Sequence, residues 1–362
     1  MSGKLEEARS IINEVDSKMA ELFVKRMRAA EMVYEHKKEF GLPILDQKRE
    51  DAVIEKNSAM IEDEVIKGYY IDFIKNLMSV SRAYQYRMQS GLKVAYNGVE
   101  GAFAHIAAGR IFPDSNRVSY RDFKSAYDSV VNGESDVVVL PIENSYAGEV
   151  GQTIDLIFSG GLFINGIYEL EIHQNLLGLP DAKVEDIKKV TSHPQALSQC
   201  HDYLALRGFD TEESNNTAVA AKAVANMNDK SLGAIASVET AEIYGLKVLE
   251  ANINKSGENT TRFAVLSKVK ANSPTLSNSV LMFSVKNEAG ALANAISIIG
   301  KYGYNMTALR SRPLKKHSWQ YYFYTEIDGT TETEDGKMML EELNKVCDKL
   351  KVAGTFAPHR EI

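Results

Sequence analysis

Residues 137–148 read VVVLPIENSYAG. Four apolar residues of strand type lead through Pro141 into Glu143, Asn144 and Ser145, and Gly148 follows. In an open α/β sheet, ligands collect outside the carboxyl ends of the strands, where loop side chains and helix N-termini converge. The abrupt change from apolar to polar therefore predicts a buried strand whose carboxyl end forms one wall of a site.

The neighbouring sequence follows the same grammar. Past the polar break QSGLK (89–93), the short runs KVAY, DVVVL, KKVT and LGAIAS alternate with helical stretches, as in an α/β domain. Two more stretches have the character of site walls. In TSHPQALSQC (191–200) a strand stops and Ser192 with Gln195 is expected to form an S-x-x-Q capping box, with Pro194 in the first turn. Capping does not account for Gln199, one turn further along the face of Gln195. In NTTRF (259–263), Thr261 and Arg262 open the apolar strand FAVL.

Upstream the period is helical. Leu5, Ala8, Ile12, Val15, Met19, Leu22, Ala29 and Val33 follow steps of three and four, except that one seam position holds Arg26. Lys37, eleven residues on, falls on nearly the same face, roughly 16 Å along the axis. Two cations on an apolar face imply an anion between helices. Asp46, Arg49 and Glu50 open a short helix, and a second long run (Ile66, Tyr70, Phe73, Leu77, Val80, Tyr84) is bordered by Ser81 and Gln85. Residues 1–88 are thus read as all-helical. Downstream, KANSPTLSNS (270–279) has the composition of a linker. Beyond it the expected order is strand 280–286, helix 290–301, strands 304–310 and 318–327, helix 333–350 and strand 352–357, a βαββαβ ferredoxin-like domain.

Composition narrows the function. A chain of 362 residues suggests two or three domains, and its net charge of −7 without a Lys/Arg block argues against nucleic acid or an anionic membrane as partner. Cys200 and Cys347 suggest neither a disulfide framework nor a zinc site, and no metal or cofactor is expected. The start MSGKLEEARS lacks the apolar core of a signal peptide, and no segment reaches the ~18 apolar residues of a membrane span, so a soluble, cytoplasmic protein is expected.

The spacing Arg9, Arg26, Lys37, DQKRE (46–50) and SRAYQ (81–85) resembles the all-helical chorismate mutase family. That resemblance implies a dimer with interleaved helices, in which Arg9 serves the partner's site. It also implies that Arg9, Arg26 and Arg49 hold the two carboxylates of chorismate, that Lys37 and Gln85 donate to the ether oxygen, and that Glu50, supported by Asp46 and Ser81, orients the ring hydroxyl. Residues 92–268, through YNGVEGAFAH (96–105), PIENS, SHPQA, TAEIYGL (240–246) and TRF, resemble prephenate dehydratase, a fold of two α/β lobes around a cleft. There Asn144, Ser145, Ser192, Gln199, Thr261, Arg262 and Phe263 are implied to line the cleft. Thr261 is the leading proton donor or hydrogen-bonding group, with a water, Glu143 or His193 as alternatives, and Arg262 or a helix N-terminus would hold the side-chain carboxylate. Ala102 stands where many members carry Thr or Ser.

EAGALANAI (288–296) and ALRSRP (308–313) resemble the ACT regulatory domain, here residues 279–358. Gly290, Ala291, Leu292, Arg310, Ser311, Arg312 and Pro313 are the implied phenylalanine-binding positions. Ala289 replaces a usual Pro and Arg310 a usual Glu; Arg310 either repels an effector's ammonium group or pairs with Asp or Glu and leaves the pocket intact, and retained but weakened inhibition by phenylalanine is expected. The implied function is the conversion of chorismate to prephenate and of prephenate to phenylpyruvate in a homodimer or homotetramer. Arogenate dehydratase and a non-enzymatic amino-acid sensor are the competing readings.

Overall fold

The computed structural model describes residues 2–254, 259–271, 273, 275–314, 320–358 and 360–362. Residues 272 and 274 of the expected linker, and 318 and 319 of the expected strand, lie outside the described residues. The chain divides into two compact units, 1–92 and 93–362. No described helix is long and apolar enough to cross a membrane.

The first unit is helical: α1 (Ser2–Glu39), α2 (Gln47–Ser58) and α3 (Glu64–Ser90). Asp46 caps α2 by accepting from the Arg49 N–H at 3.0 Å, and Asp63 caps α3 by accepting from Val65 and Ile66. On α3 the buried residues Ile74, Met78, Ser81 and Gln85 recur at helical spacing, and α1 buries Ala30 and Tyr34. The apolar stripe Leu5, Ile12, Val15, Met19 and Leu22 of α1 is exposed within one chain, with Leu22 64% exposed.

The second unit starts with β1 (Lys93–Asn97), α4 (Phe103–Ile111), β2 (Asn116–Tyr120), α5 (Phe123–Asn132), β3 (Val137–Asn144), β4 (Gly148–Glu149), α6 (Gly151–Ser159) and β5 (Phe163–Glu171). A second lobe follows: β6 (Asn175–Gly178), β7 (Lys189–Ser192), α7 (Pro194–Gln199), α8 (His201–Arg207), β8 (Asp210–Glu213), α9 (Thr217–Met227), β9 (Leu232–Ala236), α10 (Val238–Tyr244) and β10 (Lys247–Glu250). The chain then returns to the first lobe as β11 (Thr260–Ser267), antiparallel between β3 and β5. The lobes carry separate sheets, the second in the order β10-β6-β9-β7-β8. The motif 240–246 ties them together, since Thr240 and Tyr244, one helical turn apart, donate to the carbonyls of Gly101 and Glu100 at 2.8 and 2.7 Å.

The C-terminal segment forms β12 (Asn278–Ser284), α11 (Ala291–Lys301), β13 (Met306–Pro313), β14 (Tyr321–Asp328), α12 (Glu334–Val346) and β15 (Lys349–Phe356), with the strand order β13-β14-β12-β15. The expected helix to residue 350 ends at Val346, because the alternation from Lys349 onward belongs to a strand. β12 is buried on both faces. Leu281 and Phe283 pack with Ala295, Ile298, Met339 and Leu343 of α11 and α12, while Val280 and Met282 join the core of the first lobe with Leu140, Ile142, Ile154 and Phe158. The sheet is continuous across this junction: Gly354 of β15 pairs with Ile164 of β5. A Cβ at Gly354 would lie 2.0 Å from the Ile164 carbonyl oxygen, so only glycine permits the approach. A last short strand, β16 (Arg360–Glu361), pairs with β5 beyond the expected boundary at 358.

Two lysines of β15 reach the carboxyl end of α6. Lys349 donates to the Phe158 carbonyl and Lys351 to those of Ile157 and Gly160. Burial, and secondarily the neighbouring Lys349 charge, lower the Lys351 pKa to about 8. The unfolded chain, with a lysine pKa of about 10.4, then binds that proton more tightly, so this group's contribution to stability rises as pH increases from about 8 to about 10.4. Lys351→Met is expected to remove that component, which the difference between parent and variant in urea midpoints at pH 7.5 and 10 would measure. Gly354→Val is expected to lower Tm, read by thermal melting of the second unit's signal.

Candidate active sites

In the second unit, a cavity of about 340 Å3 opens between the lobes. β3 and β11 supply one wall, with Pro141, Asn144, Thr261 and Phe263, while α7 brings His193, Gln195 and Gln199 from the other lobe. Asn144 is the hub. Its side-chain oxygen accepts from the Tyr146 and Ala147 N–H groups (3.1 and 2.8 Å) and from Gln195 Nε2 (3.2 Å). The two backbone donors fix the orientation of the amide, so its nitrogen donates to Thr261 Oγ1 and to Asn259 Oδ1, both at 2.9 Å. Asn259 passes the chain on to Gln199 Oε1 (3.1 Å), which also accepts from Gln174 (3.2 Å). Thr261 therefore accepts from the protein and keeps its own proton for a ligand.

Among the described residues lining the cavity, none is Lys, Arg, Asp or Glu. An anion there meets backbone amides. Phe103 and Ala104, in the first turn of α4, line the cavity, and Ala102 offers no side-chain cap, so that turn's N–H groups are open to a ligand. α9 contributes Asn216 and Thr217 from its N-terminus. Gln174 Oε1 and Asn97 Oδ1, both on residues of the wall, are buried without a hydrogen-bond partner.

Four cleft expectations change. Arg262 lies between Thr261 and Phe263 on a strand, so it faces the opposite side of the sheet, where its guanidinium forks onto Glu326 at 2.9 and 2.8 Å. Glu143, considered as a proton source, shares that far side with Arg262 and Arg310. Ser192 is fully buried and donates to the Ile235 carbonyl at 2.7 Å, tying β7 to β9; the α7 cap is His193, whose Nδ1 accepts from Gln195 N–H. Ser145 extends the β3–β11 pairing through Thr260. Asn97, Gln174, Gln195, Asn215, Asn216 and Asn259 enter the wall unforeseen. Only tertiary folding distinguishes these amides from ordinary loop residues.

At the C-terminal segment, Gly290 precedes α11 in a left-handed conformation, with Ala291 and Leu292 in its first turn. Ser311 and Pro313 are exposed on β13. The alternate residues Arg310 and Arg312 turn toward the first lobe: Arg310 pairs with Glu143 at 2.6 Å, and Arg312 with Glu149 and Asp155. Arg310 is thereby occupied in an ion pair, the second of its two expected alternatives.

In the helical unit, Arg26 donates to Ser81 Oγ and to the Leu77 carbonyl of α3, beside an open cavity of about 550 Å3. Partial burial lowers the Arg26 pKa, opposed by the charge of Glu50. Glu50 is held by both carboxylate oxygens on Arg82, a residue the sequence did not single out. Gln85 is buried with its Oε1 unpartnered. Lys37 lies at a separate cavity near Ile44, whose carbonyl accepts from it, and Asp46 serves as a cap. Arg49 and Arg9 are exposed, Arg9 roughly 26 Å along α1 from Arg26. One chain thus gathers Arg26, Ser81 and Glu50 but leaves Arg9 apart.

This is a two-lobed α/β architecture with a cleft whose described lining holds no Lys, Arg, Asp or Glu, joined in one chain to an all-helical unit with its own half-buried arginine. The sequence pattern of prephenate dehydratase matches residues 94–271 and that of chorismate mutase type II residues 8–86. The bifunctional chorismate mutase/prephenate dehydratase of Aquifex aeolicus is 31% identical, with 98% of each chain covered. Arogenate dehydratase/prephenate dehydratase 2 of Arabidopsis thaliana is 32% identical over 74% of this chain and 73% of its own. The crystal structure of prephenate dehydratase with L-Phe from Arthrobacter aurescens has 25% identity and a TM-score of 0.68, covering 74% of this chain and 90% of that one. The chain belongs to the bifunctional chorismate mutase/prephenate dehydratase family. It rearranges chorismate to prephenate, then dehydrates and decarboxylates prephenate to phenylpyruvate.

Because Asn144 satisfies two backbone donors and orients Thr261, Asn144→Ala is expected to lower both Tm and dehydratase kcat, the latter by about tenfold or more, leaving mutase kcat unchanged. Separate assays with chorismate and prephenate, alongside thermal melts, check this.

Proposed function

We propose that the two reactions use separate sites, in functional domains spanning 1–88 and 92–268, with a regulatory ACT domain at 279–358. The dehydratase reading rests chiefly on one observation, the Thr261 hydroxyl that accepts from Asn144 at a cavity whose described lining holds no Lys, Arg, Asp or Glu. In the reaction the ring C–O and C–carboxylate bonds break together. The C–C bonding pair enters the ring, carbon dioxide departs, and the hydroxyl leaves as water after gaining a proton. Thr261 hydrogen-bonds that hydroxyl, and His193, also on the wall, is the second donor; the uncapped first turn of α4 holds the side-chain carboxylate. No carboxylate lines the described wall to pair with an ammonium group, which favours prephenate over arogenate.

In the mutase, Arg26 holds a substrate carboxylate, Gln85 with Lys37 serves the ether oxygen, and Glu50 orients the ring hydroxyl, supported by Ser81 and Asp46. Arg49, exposed on α2, joins Arg26 and the partner's Arg9 in holding the two carboxylates. Two chains pair through the exposed stripe of α1, which delivers the partner's Arg9. That apolar stripe, unburied in one chain, supports at least a dimer. Phenylalanine is the proposed effector, at Gly290, Ala291 and Leu292 where α11 begins and at Ser311 and Pro313 of β13; the bound L-Phe in the Arthrobacter aurescens structure supports it.

Arg26→Ala is expected to reduce mutase kcat/KM by about a hundredfold or more and to spare the dehydratase. Thr261→Val is expected to do the reverse, lowering dehydratase kcat and kcat/KM together. Following prephenate and phenylpyruvate separately after adding chorismate tests both. Equal damage to the two activities by either variant would contradict separate sites.

A further inference from the structure

The far side of the catalytic strands carries a buried cluster of charge that the chemistry does not use. Glu326 on β14 is 2% exposed. Both of its oxygens accept from Arg262 (2.9 and 2.8 Å), and one also accepts from the Tyr324 hydroxyl (2.7 Å). Arg262 reaches on to Glu143 at 3.2 Å and Glu169 at 3.6 Å, and Arg310 of β13 pairs with Glu143 at 2.6 Å while lying 3.9 Å from Glu326. Burial works against the Arg262 charge, but the hydrogen bonds and charge of Glu326 outweigh it and raise its pKa. Burial, followed by the Glu326 charge, raises that of Tyr324 well above its usual value, so the phenol stays a donor.

The position of this cluster is its significance. Arg262 and Glu143 are opposite each other on β11 and β3, and the next pair along is Thr261 with Asn144. Between Arg262 and Phe263 the register shifts, because β3 carries Ile142 as an extra residue there. A bulge bends and twists the strand that carries it, here β3, while β11 stays in register with β5 through this stretch. Side chains of the C-terminal segment add a second hold on both strands: Glu326 holds Arg262, and Arg310 holds Glu143. Each grips one catalytic strand one residue from a cleft side chain.

We propose that Glu326 is a positioning residue of the dehydratase, acting through Arg262 to set the orientation of Thr261, with Arg310 acting likewise through Glu143 on Asn144. The βαββαβ segment is then part of the dehydratase's working structure. The inference rests on the reading of Thr261 as a cleft residue. It also gives any ligand of the C-terminal segment a direct mechanical route to the cleft, through β13 and β14.

The test is Glu326→Gln in the full chain, which keeps the shape and removes the charge. Dehydratase kcat is expected to fall about ten- to a hundredfold with KM for prephenate within about threefold, and Glu326→Asp to recover most of the loss. In a Thr261→Val background, Glu326→Gln is expected to cost less than about twofold more, since both changes act at one point. A folded Glu326→Gln protein with kcat within about twofold of the parent, full additivity with Thr261→Val, or Asp and Gln variants equally impaired would each overturn the proposal. Should Glu326→Gln not fold, Tyr324→Phe removes a single hydrogen bond; a kcat loss of about threefold at constant KM is expected, and no loss overturns it. If Thr261→Val alone kept full activity, the reading of the cleft would fall instead.

Discussion

The two-residue period of an extended strand is the constraint on which the second unit depends. On β11 it sends Thr261 and Phe263 into the cleft and Arg262 to the opposite side. One strand therefore serves two environments. On one side is a cavity whose described polar lining is mainly amides and hydroxyls with no Lys, Arg, Asp or Glu, and on the other a dense group of ion pairs. A charged side chain in the cleft would attract the dianionic substrate in its ground state as strongly as in the transition state. Backbone amides and neutral donors leave room for differential stabilisation as the ring hydroxyl departs.

The same economy of strands joins the C-terminal segment to the first lobe. β12 faces α11 and α12 with Leu281 and Phe283 and faces the lobe with Val280 and Met282, so no surface separates the two parts. Gly354 brings β15 within pairing distance of β5, and Lys349 and Lys351 satisfy carbonyls at the end of α6. Arg312 holds Asp155 of the same helix, which also accepts from Tyr322. A shared core and a shared sheet join the segment to the first lobe.

The helical unit illustrates the opposite case. Its longest helix has 38 residues, about 57 Å at 1.5 Å per residue, and its N-terminal half carries apolar residues that one chain leaves exposed. Arg26, Ser81 and Glu50 come together because α1, α2 and α3 pack around them, whereas Arg9 lies far along α1. The apolar stripe of α1 is left uncovered by the rest of its own chain.

Much of this protein was determined by the sequence alone. A change from helical to strand periods marked the passage from α1–α3 to β1, the order βαββαβ was legible after residue 279, and VVVLPIENS announced a buried strand. Those features depend on local periodicity and on motif spacing, which the chain carries without folding. The strand period puts Thr261 and Arg262 on opposite sides, but the sequence could not settle which of those sides meets the cleft, because that depends on which elements pack against each face. Hence Arg262, Glu143, Arg310 and Arg312 were read as ligand-binding or proton-supplying groups, and tertiary structure assigned them to ion pairs. Asn259, Gln174 and Gln195 became site residues for the same reason: an amide acquires its role only when a second amide, distant in sequence, lies within about 3 Å of it.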